Sequence, residues 1–444
     1  MKKVITFLLL IVFVKTYSQD TPTRLNLNQC IEIAIKNNLT VQRSAIESES
    51  ARLSWQQARY NMLPSINANI SHGLNKGRSI DPLTNTYVNR EATYASPSLN
   101  TSLLLFNGLA MQNLLKQNSL AYQASKQEEQ QAKDNLTLNV ILTYLQVLTN
   151  QDLFALAKIQ QETTVKQVDR LEILNQSGSV APGVYYDLKG QYANDQLTVI
   201  NTGNALENSK ISLVELLNIP YNKDLQLEQL TADQFSLVYS ITPEQVYQSA
   251  IQNLASVKAV DFRKASADLS VQAIRSRYYP SVYFNTGMSS NFSNAARDAS
   301  NNPIGYFTQF NNNQSKTFSV GISIPILNYL RVRNNISFAR LNQRESELVA
   351  QTTRTQLQQL TQQAYFNMTA SKDRYVSLEE QVAAYKESFR TVEIRFTEGA
   401  LNSVDYLVAK NNLDRANANM LANRYDFILR KKILDFYQGK PLGL

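Results

Sequence analysis

NQCIEIAIKNNLTVQ at Asn28–Gln42 returns as EQVYQSAIQNLASVK at Glu244–Lys258, 216 positions further along a chain of 444 residues. The same interval carries Pro64-Ser65 onto Pro280-Ser281, each preceded by Arg and Tyr (Arg59 and Tyr60; Arg277 and Tyr278). Beyond them Phe106-Asn107 answers Leu327-Asn328, Tyr144 answers Tyr365, Gly178 answers Gly399 and Pro220 answers Pro441, all at an interval of 221. The second half therefore carries five extra residues between its paired strands. A period this long is not that of a solenoid, whose repeats run to roughly 20–50 residues. It is a whole folding unit, duplicated. Two copies of one unit in one chain predict a pseudo-symmetric wall or tube.

Each half reads as helix, strand, loop, strand, long helix, turn, helix. In the first, Asn28–Tyr60 has helical spacing and stops before Pro64. The period then switches to two, with Ile66, Ala68, Ile70 and Leu74 alternating with Asn67, Asn69, Ser71 and Asn75. Asn75–Ala95, polar and rich in Asn, reads as a surface loop. Leu99, Thr101, Leu103 and Leu105 then share one face of a second strand. In the second half Val282, Phe284, Thr286 and Met288, and later Phe318, Val320, Ile322, Ile324 and Ile326, repeat the pattern. The predicted strands are 65–75, 97–106, 281–292 and 317–327. The predicted division is 19–222 for the first repeat, 223–242 for a connecting segment and 243–444 for the second repeat.

Clean alternation over about ten residues describes a barrel strand with one apolar and one wet face. Ten residues at about 3.3 Å each reach roughly 33 Å, enough to cross a hydrocarbon layer when tilted. Tyr60, Tyr94, Phe106, Tyr278, Tyr279 and Phe292 lie near the strand ends, where interfacial aromatic belts form. A half-buried sheet in a soluble protein has the same alternation; the N-terminus tilts the choice. Lys2-Lys3, the apolar run Val4–Val14 and the small residues Thr16 and Ser18 make residues 1–18 a secretory signal peptide. No stretch of eighteen apolar residues follows, so an exported chain of this kind crosses a membrane as strands. Four strands cannot close a barrel whose smallest size is about eight. Several chains are needed.

Apolar residues make up 43% of the chain, with only 13 Gly and 11 Pro, which fits a folded helix-rich protein. The formal charge of +8 includes Lys2, Lys3 and Lys15 of the leader, and no basic cluster is denser than Arg430-Lys431-Lys432. Nucleic acid is excluded as a partner on that ground. The single cysteine, Cys30, lies on the apolar stripe of the first helix and reads as a small buried hydrophobe.

Met111–Gln176 and Leu330–Glu398 contain neither Pro nor Gly. A helix of about 65 residues spans roughly 100 Å. Leu378, Val382, Tyr385, Phe389, Val392 and Phe396 step along the second as a coiled-coil seam. Each long helix stops at a glycine, Gly178 or Gly399, suited to a left-handed C-cap. Helices restart from about Val184 and Ser403, making two hairpin tips at one end. A globular core does not need such lengths; a projecting tube does.

LNLNQCIEIAIKNNLTVQRSAI (Leu25–Ile46), ARYNMLPSI (Ala58–Ile66), LLLFNGLAMQN (Leu103–Asn113), RSRYYPSV (Arg275–Val282), ISIPILN (Ile322–Asn328) and above all RFTEGALNSVDYLVAKNNL (Arg395–Leu413) resemble segments of the TolC-like outer membrane efflux protein family, in order and in duplicate. The resemblance implies an α+β membrane protein: a homotrimer with a twelve-stranded β-barrel, four strands per chain, continued by a long periplasmic α-helical coiled-coil tunnel. It implies an outer membrane exit duct of a tripartite efflux or type I secretion system. Its partners would be outer membrane lipid, a periplasmic adaptor (membrane fusion protein) and an inner-membrane transporter.

Family members close the periplasmic end by tightening the tips around two acidic positions. The first matches Asp405 and the second Val408, which implies one carboxylate ring at the pore constriction. A tyrosine and an arginine of the family's latch match Phe396 and Leu401, and its acidic latch position after the glycine matches Val184. Closure here would rest on apolar packing or on other bonds. Asp405 also has a plainer reading, because a carboxylate in the first turn after an Asn402 or Ser403 cap is favoured by the helix dipole. Both roles can hold at once.

No catalytic, cofactor-binding or metal-binding set is read from the chain. His72, the only histidine, has no Cys or acidic partner at ligand spacing, and no phosphate loop, nucleophile elbow or zinc-helix motif occurs. The remaining alternative to a duct is a non-channel coiled-coil surface or structural protein of the outer membrane.

Overall fold

The computed structural model describes residues 24–80, 85–229, 239 and 241–440. The leader reading at 1–18 and much of the connecting segment lie outside them. Each half opens on two helices where the sequence suggested one. Helix α1 (Leu27–Asn37) gives way to α2 (Leu39–Tyr60) at Asn38, whose extended backbone breaks the helix while its side chain accepts from the Thr40 amide at 2.9 Å. The second half breaks at the equivalent residue, Leu254, between α5 (Pro243–Asn253) and α6 (Ala255–Arg275). A short parallel pair, β1 (Arg24–Leu25) with β4 (Gln226–Leu227), was not legible in the sequence.

The long helices α3 (Ala110–Gln176) and α8 (Arg331–Thr397) are 67 residues each, and their ends stand 221 positions apart. Returning helices α4 (Pro182–Leu217) and α9 (Ser403–Tyr437) complete two hairpins. Along the α8 seam Leu378, Val382, Tyr385, Phe389 and Val392 are half-buried and Phe396 is buried, while Glu379, Glu380, Lys386 and Arg390 between them are exposed. That is the 4-3 pattern of a helix packed along one edge.

The strands are β2 (Ser65–Ile80), β3 (Tyr87–Phe106), β5 (Ser281–Ser289), a short β6 (Phe292–Ser293) and β7 (Ser315–Ser323). They pair antiparallel in the order β2-β3-β5-β7, with β6 also on β3. The loop expected at Asn75–Ala95 is overextended: β2 and β3 stay paired out to Ile80↔Tyr87, and residues 81–84 lie outside the described ones. The apolar alternation ends near Leu74, yet the backbone ladder of an antiparallel pair needs no apolar side, and Lys76 pairs with Glu91 across it. The second pair is shorter than expected. β5 ends at Ser289 rather than 292, and β7 at Ser323 rather than 327, ahead of Pro325, which has no N–H for a ladder. Within the second connection lies α7 (Tyr306–Asn312), which has no counterpart among the described residues of the first half.

Register assigns the two faces. Ala68, Leu99 and Met288 stand in line across three strands, as do Leu103, Phe284 and Val320. The opposite face carries Asn67, Asn69, Ser98, Asn100, Ser102, Asn285, Ser319 and Thr317. Neither face is covered by the chain itself, and Ile66, Ile70, Phe318, Val320 and Ile322 are all exposed.

The main core lies at mid-height, where Leu27, Cys30, Ala34, Val140, Ile141, Tyr144, Leu148, Leu213, Leu217 and Ile428 pack together. Burial pushes the Cys30 thiol up to about 12, consistent with a packing role. The Tyr144 hydroxyl donates to the carbonyls of Glu228 (2.7 Å) and Leu25 (3.3 Å), tying α3 to the β1–β4 pair.

Candidate functional site at the hairpin tips

Both tips close with the same hydrogen bonds. After α3, Gly178 takes φ +72° and the Ser179 amide reaches back to the Leu174 carbonyl at 2.8 Å. After α8, Gly399 takes φ +72° and the Ala400 amide reaches the Arg395 carbonyl at 2.9 Å. This is the Schellman arrangement, and its left-handed residue favours glycine. A Cβ at either position would meet nothing within 4 Å, so backbone conformation alone reserves the site.

Behind the turns lies an apolar cluster shared by the two hairpins. Phe396 is buried and stacks on Tyr406 with ring centroids 4.5 Å apart, and Phe389 lies 5.6 Å from Tyr406. Val168, Leu171, Tyr185 and Leu188 complete the buried set, with Val184 and Leu401 packed against it. The structure thus brings Phe396, Leu401 and Val184 together as hydrophobic packing. Tyr406 is fully buried, and its hydroxyl finds no hydrogen-bond partner among the described residues.

Asp405 and Val408 sit elsewhere, on the open side of α9. Asn402 caps that helix by accepting from the Asp405 amide at 2.8 Å, and its own amide donates to the Asp405 carboxylate at 2.9 Å. The first-turn role is therefore real. Asp405 remains exposed, flanked by Val404 and Val408, which are 61% and 55% exposed. Two valines that open beside one carboxylate make a face that the chain alone leaves uncovered.

Sequence reasoning missed the polar links between the hairpins. Arg170 on α3 donates to the Thr397 carbonyl at the end of α8 (2.6 Å). The Ser403 hydroxyl at the start of α9 donates to Asp187 on α4 (2.7 Å). Higher up, the Lys410 ammonium, buried on α9, lies 3.2 Å from Asp195 on α4 and 2.6 Å from Asp414 on its own helix. The Lys410–Asp414 spacing of four was readable as a helical pair. The partner across the hairpins, 215 positions away, was not.

The model of the family described as outer membrane efflux protein matches residues 30–218 and 246–437. Outer membrane protein TolC of Vibrio cholerae is 23% identical over 408 residues, covering 91% of this chain and 88% of that one. Among solved structures, the outer membrane protein VceC of Vibrio cholerae superposes with a TM-score of 0.81 at 15% identity, covering 94% of this chain and 96% of that one. The CmeC outer membrane channel of Campylobacter jejuni gives 0.76 at 16% identity, covering 93% and 85%.

Proposed function

Because the chain belongs to the outer membrane efflux protein family, and is an outer membrane efflux channel whose helices stand in the periplasm, we propose how its parts divide that task. Three copies close one twelve-stranded barrel, and their hairpin tips meet a periplasmic adaptor and an inner-membrane transporter. The carrying observation is the open sheet. β2 and β7 each present a free edge, with an apolar face on one side and Asn, Ser and Thr on the other. An unpaired edge is a template for another chain, and edge-to-edge closure leaves no strand unsatisfied in hydrocarbon. The apolar face then meets lipid and the amide-and-hydroxyl face lines water.

At the far end Val404, Asp405 and Val408 of three copies converge on the axis. The valines give apolar closure, and the carboxylates form one acidic ring. Gly178 and Gly399 shape the turns that touch the adaptor. A non-channel coiled-coil protein has no use for a sheet with one lipid-compatible and one wet face. Cysteine pairs placed across β2 and β7 should give a ladder ending at trimer on non-reducing gels of native outer membranes. A ladder that stops at monomer, or fractionation with soluble periplasmic proteins, would overturn the assembly.

A further inference from the structure

Lys410 is the most deeply buried charge at the tips, with a side chain 3% exposed. Its two carboxylate partners differ in kind. Asp414 is one turn along the same helix, whereas Asp195 belongs to the other hairpin. Asp195 is itself held in place: the Thr164 hydroxyl on α3 donates to Oδ2 at 2.5 Å and the Gln191 amide to Oδ1 at 2.7 Å. One ammonium is therefore shared by two carboxylates, and one of its two bonds crosses between hairpins.

Beyond these three charges the surroundings carry neutral groups and one further acid. α3 contributes Thr164 and Gln160, α4 contributes Gln191 beside Asp195, and α9 contributes Tyr406. From α8, Glu393 acts on Tyr406. Burial lifts the Asp414 carboxyl above the usual carboxylate range, Lys410 pulls it back down, and the Asp195 charge adds to the rise. A buried charge that loses its partner is strongly destabilising, so the ammonium stays with whichever carboxylate is ionised.

We propose that Lys410 locks the closed tip: its bond to Asp195 fixes α9 against α4, and Asp414 weakens that lock by drawing on the same ammonium. The inference rests on the reading of the tips as the narrow end of a duct. While Asp414 is ionised, Lys410 is divided between the two. When Asp414 takes up a proton, the ammonium is left to Asp195 and the hairpins draw together. A carboxyl whose pKa is raised in the folded tip binds its proton more tightly there than in the loosened one. The tip therefore tightens as pH falls through that raised pKa and loosens as pH climbs above it.

The test is single-channel recording of the full-length trimer in planar bilayers, for wild type, Lys410→Gln and Asp414→Asn, at neutral and mildly acidic pH. Loss of the crossing bond should raise the open-to-closed ratio of Lys410→Gln roughly tenfold to hundredfold. Asp414→Asn should shift the ratio the other way and abolish the acid-induced closing of the wild type. General damage to the bundle moves both variants in one direction, so opposite signs identify the lock. If Lys410→Gln fails to assemble, Asp414→Asn still decides. An Asp414→Asn channel that opens more readily, or that keeps the wild-type ratio and acid response, overturns the proposal, as does an assembled Lys410→Gln that gates like wild type. A wild-type protein that forms no channel at all overturns the duct reading and the lock with it.

Discussion

Two buried tyrosines are opposites at the scale of single residues. The Tyr144 hydroxyl satisfies two backbone carbonyls at mid-height. The Tyr406 hydroxyl lies in the tip cluster with no partner among the described residues, and burial raises its pKa. A buried polar group without a hydrogen bond costs about 1–3 kcal/mol, and deleting the group removes that cost. Tyr406→Phe should therefore leave the thermal midpoint of the detergent-purified protein unchanged or raise it. Tyr144→Phe strips a donor from two carbonyls and should lower it by about 1–3 kcal/mol equivalent. A lower midpoint for Tyr406→Phe would reveal a partner supplied by a neighbouring copy.

Elements meet at two kinds of glycine, and their costs separate. At the junction of β3 with α3, Gly108 has φ +67°, and a Cβ there would stand 2.6 Å from the Ser276 carbonyl oxygen and 2.7 Å from Tyr279 Cβ. At the tip, Gly399 has a similar φ and open space. Gly399→Ala should cost only the left-handed conformation, about 1–2 kcal/mol. Gly108→Ala carries that strain and a backbone clash, and should reduce the yield of heat-resistant oligomer on gels far more. Equal yields would mean that the junction yields freely. The long helices were legible because a run without Gly or Pro ends at a glycine, a local signal written beside the element it ends. Leu99 to Leu105 was legible as a strand because one side is greasy. The strand residues Asn75–Ile80 and Tyr87–Ala95 were not, since Lys76, Arg78, Asn89 and Glu91 leave no apolar alternation to read. The Lys410–Asp195 and Ser403–Asp187 bonds were hidden for a different reason. They join residues over two hundred positions apart, and nothing in the local sequence of either names the other.

At the scale of the whole molecule, the two ends of the proposed duct differ in charge. Within the paired strands from Ser65 to Ser71, Ser96 to Leu104, Ser281 to Ser289 and Ser315 to Ser323, the face opposite the apolar one carries Ser, Asn, Thr, Gly, Tyr283 and Leu104, with no acid or base. A wide neutral wall exerts little preference between anions and cations. At the tips Asp405 is exposed between Val404 and Val408. In the proposed ring, three such carboxylates around one narrow axis have their field focused by the low-dielectric helices, which favours cations. Selectivity should therefore reside at the periplasmic end alone. Asp405→Ala should shift the reversal potential in a salt gradient toward zero and relieve block by polyvalent cations added from the periplasmic side. Replacing Asn100 with Asp on the barrel wall should alter both far less. A helix-start role alone for Asp405 leaves selectivity and block as they are in the wild type, because the Asn402 cap persists without the carboxylate. If the barrel substitution outweighs the tip substitution, the constriction lies in the membrane and not among the hairpins.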